Sequence, residues 1–464
     1  MSINKEMEEI RVLSPTAILG YGFPLESFQE GMKRKPDVIA VDAGSTDPGP
    51  YYLGAGISFT DRNSVKRDLE IMIPAAIEAG IPVIIGSSGG SGGRPHVEIN
   101  RKIIEEIAQA KGLTFKYAEI SAEFDKELVR KYFKDGKITP LSPAPELKEQ
   151  DIDDAVRIVA QMGEEPFIEA LNNGAQVILA GRAYDPTVFS ALAISKGYPK
   201  GLAIHMGKIL ECAAICALPG SGSDCMFGYL RKDHFELETL SPDRKCTTLS
   251  IAAHTLYEKS NPYMLPGPGG RLNLHNTTFE QVADNRVRVA GTVFEPTDGY
   301  FVKLEGVRRV GYRTIAVAGV TDPIFISKVD EITEAVRARV DNNFKDYGMS
   351  NYFLDFKVYG KGGVMNMFPG VKCDTGNELL IIIEAVGATQ QEADTICSFA
   401  RSTLLHFGYE GRISTAGNLA LPFSPSDAHM GEVFEFNVYH LMKVESPTAL
   451  FPITYREFNN GVAK

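Results

Sequence analysis

The chain has 464 residues, 44% hydrophobic and 23% charged, with a formal net charge of −11. That length exceeds what one core usually serves, so two domains are expected, and the acidic balance gives no electrostatic footprint for nucleic acid or an anionic membrane surface. No apolar run approaches the roughly 18 residues that span a bilayer, the start MSINKEMEEI has no leader character, and six cysteines without a CxxC pair read as free thiols. The expectation is a cytoplasmic protein.

In chain order, Ile10–Leu13 reads as a strand and Leu25–Lys33 as a helix. Val38–Val41 is a buried strand that runs into a polar, glycine-rich loop, DAGSTDPGPYYLGAG. Val65, Leu69, Met72 and Ala76 repeat at helical spacing, and Asn63 or Ser64 suits the cap. Ile81–Ile85 is a continuous apolar run, as in a parallel strand covered on both faces, and opens into GSSGGSGG at residues 86–93. Pro95 suits a first helical position and Gly112 the C-cap of the helix that follows. Leu113–Ile120 alternates as a strand, a helix is expected from about Ile152 to Met162, and Val177–Ala180 is a strand ending in Gly181-Arg182. A helix over Gly207–Ala217 follows, and the topology of residues 201–292 is left unassigned.

Farther on, Tyr312–Ala318 reads as a strand. Asp322 then caps a helix carrying Val329, Ile332, Val336 and Val340. Strands at Phe353–Tyr359 and Leu379–Val386, a capping box at Thr389–Glu392 and a strand at Val433–Leu441 complete the pattern. The expected fold class is α/β: a large doubly wound, mostly parallel sheet domain over residues 1–295, then a smaller ferredoxin-like α+β domain over 296–464.

Strand-end loops are where open α/β sheets bind ligands. Asp42 and Asp47 are therefore candidate acid–base groups, and Gly44, Ser45 and Thr46 candidate polar contacts. The amides and hydroxyls of Ser87, Ser88, Gly89, Gly90, Ser91 and Gly92 could cradle an anion in a pocket shared with the first loop. GxSxG within the same run also matches a nucleophile elbow, cheaply, because the pattern occurs twice and no His or Asp partner is placed. In GRAYDP, which offers Arg182 and Asp185 at a strand end, Arg182 could clamp a carboxylate or phosphate bidentately, or be held in an internal ion pair with Asp185 or Asp42. In HMGKILEC, His205, Lys208, Glu211 and Cys212 form a reactive cluster, the bland alternative being core cysteines beside a surface Lys–Glu pair. No GxGxxG or Walker A sequence is present, so no nucleotide cofactor is indicated. A divalent cation on Asp42, Asp47, Glu211 or Asp224 has no spacing signature, and the histidines lack zinc-ligand spacing.

The stretches PTAILGYGFPLE, VDAGSTDPGPYYLGAG, VIIGSSGGSGG, GRAYDP, HMGKILECAA, AAHTLYE, LPFSPSD and FEFNVYH resemble the acyclic terpene utilisation (AtuA-like) family. The resemblance implies a large α/β domain followed by a ferredoxin-like one, and a setting in the degradation of acyclic monoterpenes such as citronellol through acyl-CoA intermediates. It carries no catalytic residues. It also implies an oligomer, either of this chain alone or with a small companion subunit.

The expected activity is proton abstraction next to a carbonyl in an organic acid or acyl-CoA, as in a lyase or hydratase. Arg182 and the glycine loops would hold the anionic end, Asp42 or Asp47 would act as base, and Lys208, Glu211 or His205 as acid. The rivals are a non-catalytic scaffold subunit and a serine hydrolase.

Overall fold

The structure is a computed structural model describing residues 9–257, 261–345, 351–364 and 375–463. The chain divides into two compact units, Met1–Arg308 with Phe436–Lys464, and Arg309–Glu435.

The first unit is built on an eleven-stranded sheet among the described residues. Its middle is parallel, in the spatial order Ile10–Ser14, Val38–Asp42, Val83–Gly86, Val177–Ala180 and Phe115–Ile120. These strands read as unbroken apolar runs because both faces are covered. Val38 and Ala40 enter one core with Ile84 and Ile178, while Ile39 and Val41 enter the other with Val83, Ile85 and Leu179.

The sheet is not mostly parallel, however. Met226–Leu230, His234–Thr239, Arg286–Ala290 and Thr278–Ala283 extend one side antiparallel, and Ile453–Asn459 with Val462–Ala463 extend the other. It is therefore a mixed sheet. The stretch whose topology the sequence left open, residues 201–292, supplies four of these flanking strands. It also supplies Met264–Gly267 and Gly270–Asn273, which form a separate three-stranded sheet with Val293–Pro296 just beyond it.

One expected helix is replaced. Glu149–Asp154 is helical, but Arg157–Ala160 is a strand, with Ala160 opposite Leu304 and Arg157 opposite Val307. Local periodicity at RIVA suited either state, and pairing with a distant strand decided it. The helix Arg62–Ala79 is capped by Asp61, whose carboxylate accepts the Asn63 and Ser64 amides, and not by Asn63 or Ser64. The helix Arg94–Lys111 ends as read, with Pro95 in its first turn and Gly112 in the left-handed conformation at its end.

In the second unit, Tyr312–Val320 pairs antiparallel with Leu379–Gly387, which also pairs with Phe353–Tyr359. The helices Val329–Phe344 and Gln390–Leu405 bury Val336, Val340, Ile396 and Leu404 in a core shared with Ile381 and Ile383 of the sheet. Asp322 Oδ1 accepts the Phe325 amide, and Thr389 Oγ1 accepts the Glu392 amide, so both expected caps are formed.

Candidate functional site

A cavity of about 650 Å³ opens in the first unit. Its polar wall comes from three segments: the turn after Val177–Ala180 (Arg182, Tyr184, Asp185), the end of the helix Lys200–Leu210 (Lys208, Glu211) and the strand residue Lys303, with Asp47 added by the first glycine-rich loop. Leu141, Phe301, Pro266 and Leu441 supply an apolar wall.

Two glycines set this geometry. Gly207 lies against the carbonyl of Pro186, where a Cβ would collide with the backbone, so the helix carrying Lys208 docks directly on the Asp185-Pro186 turn. Gly92, at φ +67°, lies against the backbone of Arg182 in the same manner.

Arg182 is 2% exposed. Its Nε donates to Glu305 Oε2 at 2.8 Å, and its Nη1 donates to Asp185 Oδ1 at 2.7 Å, to the Ala183 carbonyl and to Ser87 Oγ. The internal ion pair weighed for Arg182 is thus present, and it leaves the guanidinium committed within the wall. Burial alone would raise the Glu305 carboxyl, but Arg182 and Lys303 beside it outweigh burial and bring it down to about 2. Lys303 Nζ lies 2.6 Å from Glu305 Oε1 and 5.0 Å from the Tyr439 ring, and Thr46 Oγ1 donates to the same Glu305 oxygen at 3.0 Å.

Lys208 is 2% exposed and lines the cavity. Its Nζ is 3.8 Å from Glu211 Oε1, beyond hydrogen-bond range, and 4.9 Å from the centre of the Tyr257 ring. Burial, followed by the charges of Glu211, Asp185 and Glu164, pushes the Tyr184 hydroxyl above its ordinary range, so that it stays a neutral phenol.

The structure separates the other sequence-selected residues from this cavity. Asp42 is buried, and its Oδ2 accepts the Gly44 amide at 3.1 Å. Burial and then the charge of Asp185 push its carboxyl well up, favouring the protonated form. Asp42 is not among the lining residues.

His205 is enclosed. Thr255 Oγ1 gives its proton to the Ile251 carbonyl, so His205 Nε2–H must donate to Thr255, and His205 Nδ1 accepts from Thr292 Oγ1. Burial lowers its pKa to about 3, with the Lys208 charge adding to the effect. It is a neutral structural histidine. Cys212 Sγ lies 3.2 Å from the Tyr257 hydroxyl and is not a lining residue either.

The two glycine loops do meet, but on each other. A Cβ on Gly44 would come within 3.3 Å of Gly90 Cα, so the two backbones approach closely at that point. The amides of Ser87 and Ser88 donate to the carbonyls of Gly181 and Ala180, those of Gly90 and Gly92 to Ser87 and Ser88, and Ser88 Oγ donates to Ala180. The loop's donors are therefore largely turned inward. Ser45, Gly89 and Ser91 also lie outside the lining, and Ser45 Oγ accepts the Asp47 amide as in an ordinary turn. His96 could not serve a serine nucleophile. Its Nδ1 accepts the Gly93 amide and its Nε2 faces the carbonyls of Ile57 and Tyr52.

Of the residues selected from sequence, the cavity brings together Asp47, Arg182, Asp185, Lys208 and Glu211. Sequence reading missed Tyr184, Lys303 and Glu305. The signal for the last two was present: in FVKLEGV, Lys303 and Glu305 share one face of a strand, and an acidic residue inside an apolar run requires a buried partner.

Among the described residues no group of three or more His, Cys, Asp or Glu side chains could hold a metal ion. None of the helices there is long and apolar enough to cross a membrane. No curated protein and no solved structure matches the chain. The sequence model of the acyclic terpene utilisation family protein AtuA, in contrast, matches residues 61–220 and 241–414, which is most of the chain. With that match set beside a cavity whose charged wall draws on GRAYDP and HMGKILEC, the chain belongs to the acyclic terpene utilisation family AtuA.

Proposed function

We propose that this chain is an enzyme of acyclic terpene utilisation that removes a proton next to a carbonyl, as a hydratase or lyase does. The observation that carries this reading is the Lys208 ammonium. It is almost fully buried, lines the cavity and has its ion-pair partner beyond hydrogen-bond range. Among the described residues no acceptor lies within hydrogen-bond range of this ammonium, which is a costly state for a buried charge, and a substrate oxygen would supply one.

In this reading the carbonyl oxygen accepts from Lys208. Asp185, fixed through one oxygen by Arg182, takes the proton from the adjacent carbon. The C–H electron pair moves into the carbonyl, and the resulting enolate oxygen is held by the ammonium. The proton held by Asp185 then passes to a leaving hydroxyl or returns to carbon, while the Glu211 carboxylate balances the charge of Lys208. The apolar wall of Leu141, Phe301 and Leu441 suits a branched hydrocarbon chain.

The test is proton NMR in D2O with the citronellic acid thioester of N-acetylcysteamine. Deuterium should enter at the α-carbon with the wild-type chain and not with Asp185→Asn or Lys208→Met. Exchange at the wild-type rate in both variants would reject the assignment.

A further inference from the structure

The charges in the cavity wall bear on which form of the substrate enters, and the inference drawn from them rests on the proton-abstraction reading above. Arg182, Lys208 and Lys303 line the cavity, and Asp47, Asp185 and Glu211 face them. Glu305 lies directly beneath, in contact with both Arg182 and Lys303. Three formal cations thus stand among four formal carboxylates. Arg182 is taken up by Glu305 and Asp185, and Lys303 by Glu305. Lys208 alone of the three has its carboxylate beyond hydrogen-bond range, and that carboxylate is still close enough to balance its charge.

A free carboxylate entering this site would leave its hydration shell, meet no surplus of positive charge and lie among Asp47, Asp185 and Glu211. An uncharged carbonyl oxygen meets none of these penalties. It needs only an N–H donor, and Lys208 offers a charge-assisted one.

The chemistry points the same way. When the α C–H bond breaks and its proton passes to Asp185, a thioester becomes a monoanion that one ammonium can balance. A carboxylate would become a dianion in a wall that already has no positive surplus. We propose that the cavity selects an uncharged carbonyl compound, the thioester or ester end of a branched chain, and discriminates against the free acid. This reverses the expectation of an anionic substrate end held by Arg182.

The experiment is a matched pair in isothermal titration on the full chain at pH 7.5, citronellic acid against its N-acetylcysteamine thioester. The thioester should bind at least tenfold more tightly. Glu211→Gln, which removes one negative charge while keeping the side-chain shape, should narrow that ratio at least threefold by improving binding of the acid. Equal or tighter binding of the acid by the wild-type chain would overturn the proposal, and that result needs no variant to fold. Deuterium exchange in the same samples is a separate readout. Its absence counts against proton abstraction, whereas the acid-to-thioester ratio decides charge selection on its own.

Discussion

Arg182 Nε donates to Glu305 Oε2 at 2.8 Å with both side chains withdrawn from water, and this pair anchors the turn that carries Asp185. Removing one partner of a buried ion pair leaves a charge uncompensated, at a cost of about 3–5 kcal/mol. Glu305→Ala should lower unfolding free energy by that order in urea titrations. Adding Arg182→Met to it should recover part of the loss. A double variant no more stable than the single would show that the charge on Arg182 is not what destabilises the first.

Acid should weaken the fold in two overlapping windows. Glu305 has a folded pKa lowered from 4.5 to about 2, so its contribution is present above 4.5 and is lost as pH falls through about 2. His205 is a base lowered from 6.5 to about 3. Below 6.5 the unfolded chain binds a proton that the folded chain refuses, so stability falls from pH 6.5 towards 3. Urea midpoints across pH 7 to 3 should decline from about 6.5 downward, and His205→Gln should flatten the upper part of that decline.

Gly207→Ala would place a methyl group on the Pro186 carbonyl. Backbone shifts of this kind cost about 1–3 kcal/mol, and here the shift moves the segment that presents Lys208. The expected result is a lower melting temperature together with loss of α-proton exchange greater than the change in folded fraction explains. Unchanged melting would mean that the two segments separate freely.

For the reaction itself, Lys208→Met should lower turnover by about 10²–10³ if the ammonium holds the developing oxyanion. Asp185→Asn should cost about 10²–10⁴ as loss of a general base. Both are read from initial rates with circular dichroism as a check on folding. A fluorophosphonate probe should label no serine, since Ser88 Oγ is bonded to the Ala180 carbonyl and His96 is occupied by the backbone.

Much of the fold was legible because it rests on local rules. Val38–Val41, Val83–Ile85 and Val177–Ala180 are apolar on every residue because both faces are covered, and Pro95, Gly112, Asp322 and Thr389 mark helix ends through their own backbone chemistry. The site was legible where its residues sit together in one local motif, as Arg182 and Asp185 do after a strand and Lys208 and Glu211 do at a helix end. Lys303, which lines the cavity, and Glu305 beneath it are carried by a strand that pairs with Arg157–Ala160, a contact across more than 140 positions that no local pattern encodes. Asp42 and His205 had the right residue types in the right neighbourhood. Their exclusion depends on which way a side chain leaves its element and what covers it, and that is a tertiary property.

The run GSSGGSGG has the composition of a flexible linker, yet four of its amides are bonded within the fold, from Ser87 to Gly181, Ser88 to Ala180, Gly90 to Ser87 and Gly92 to Ser88. Its amide protons should therefore exchange with solvent on the timescale of the central strands rather than that of surface loops. Hydrogen–deuterium exchange followed by mass spectrometry would then find peptides spanning residues 86–93 among the slowest of the chain, which makes this segment a reporter of opening in the first unit.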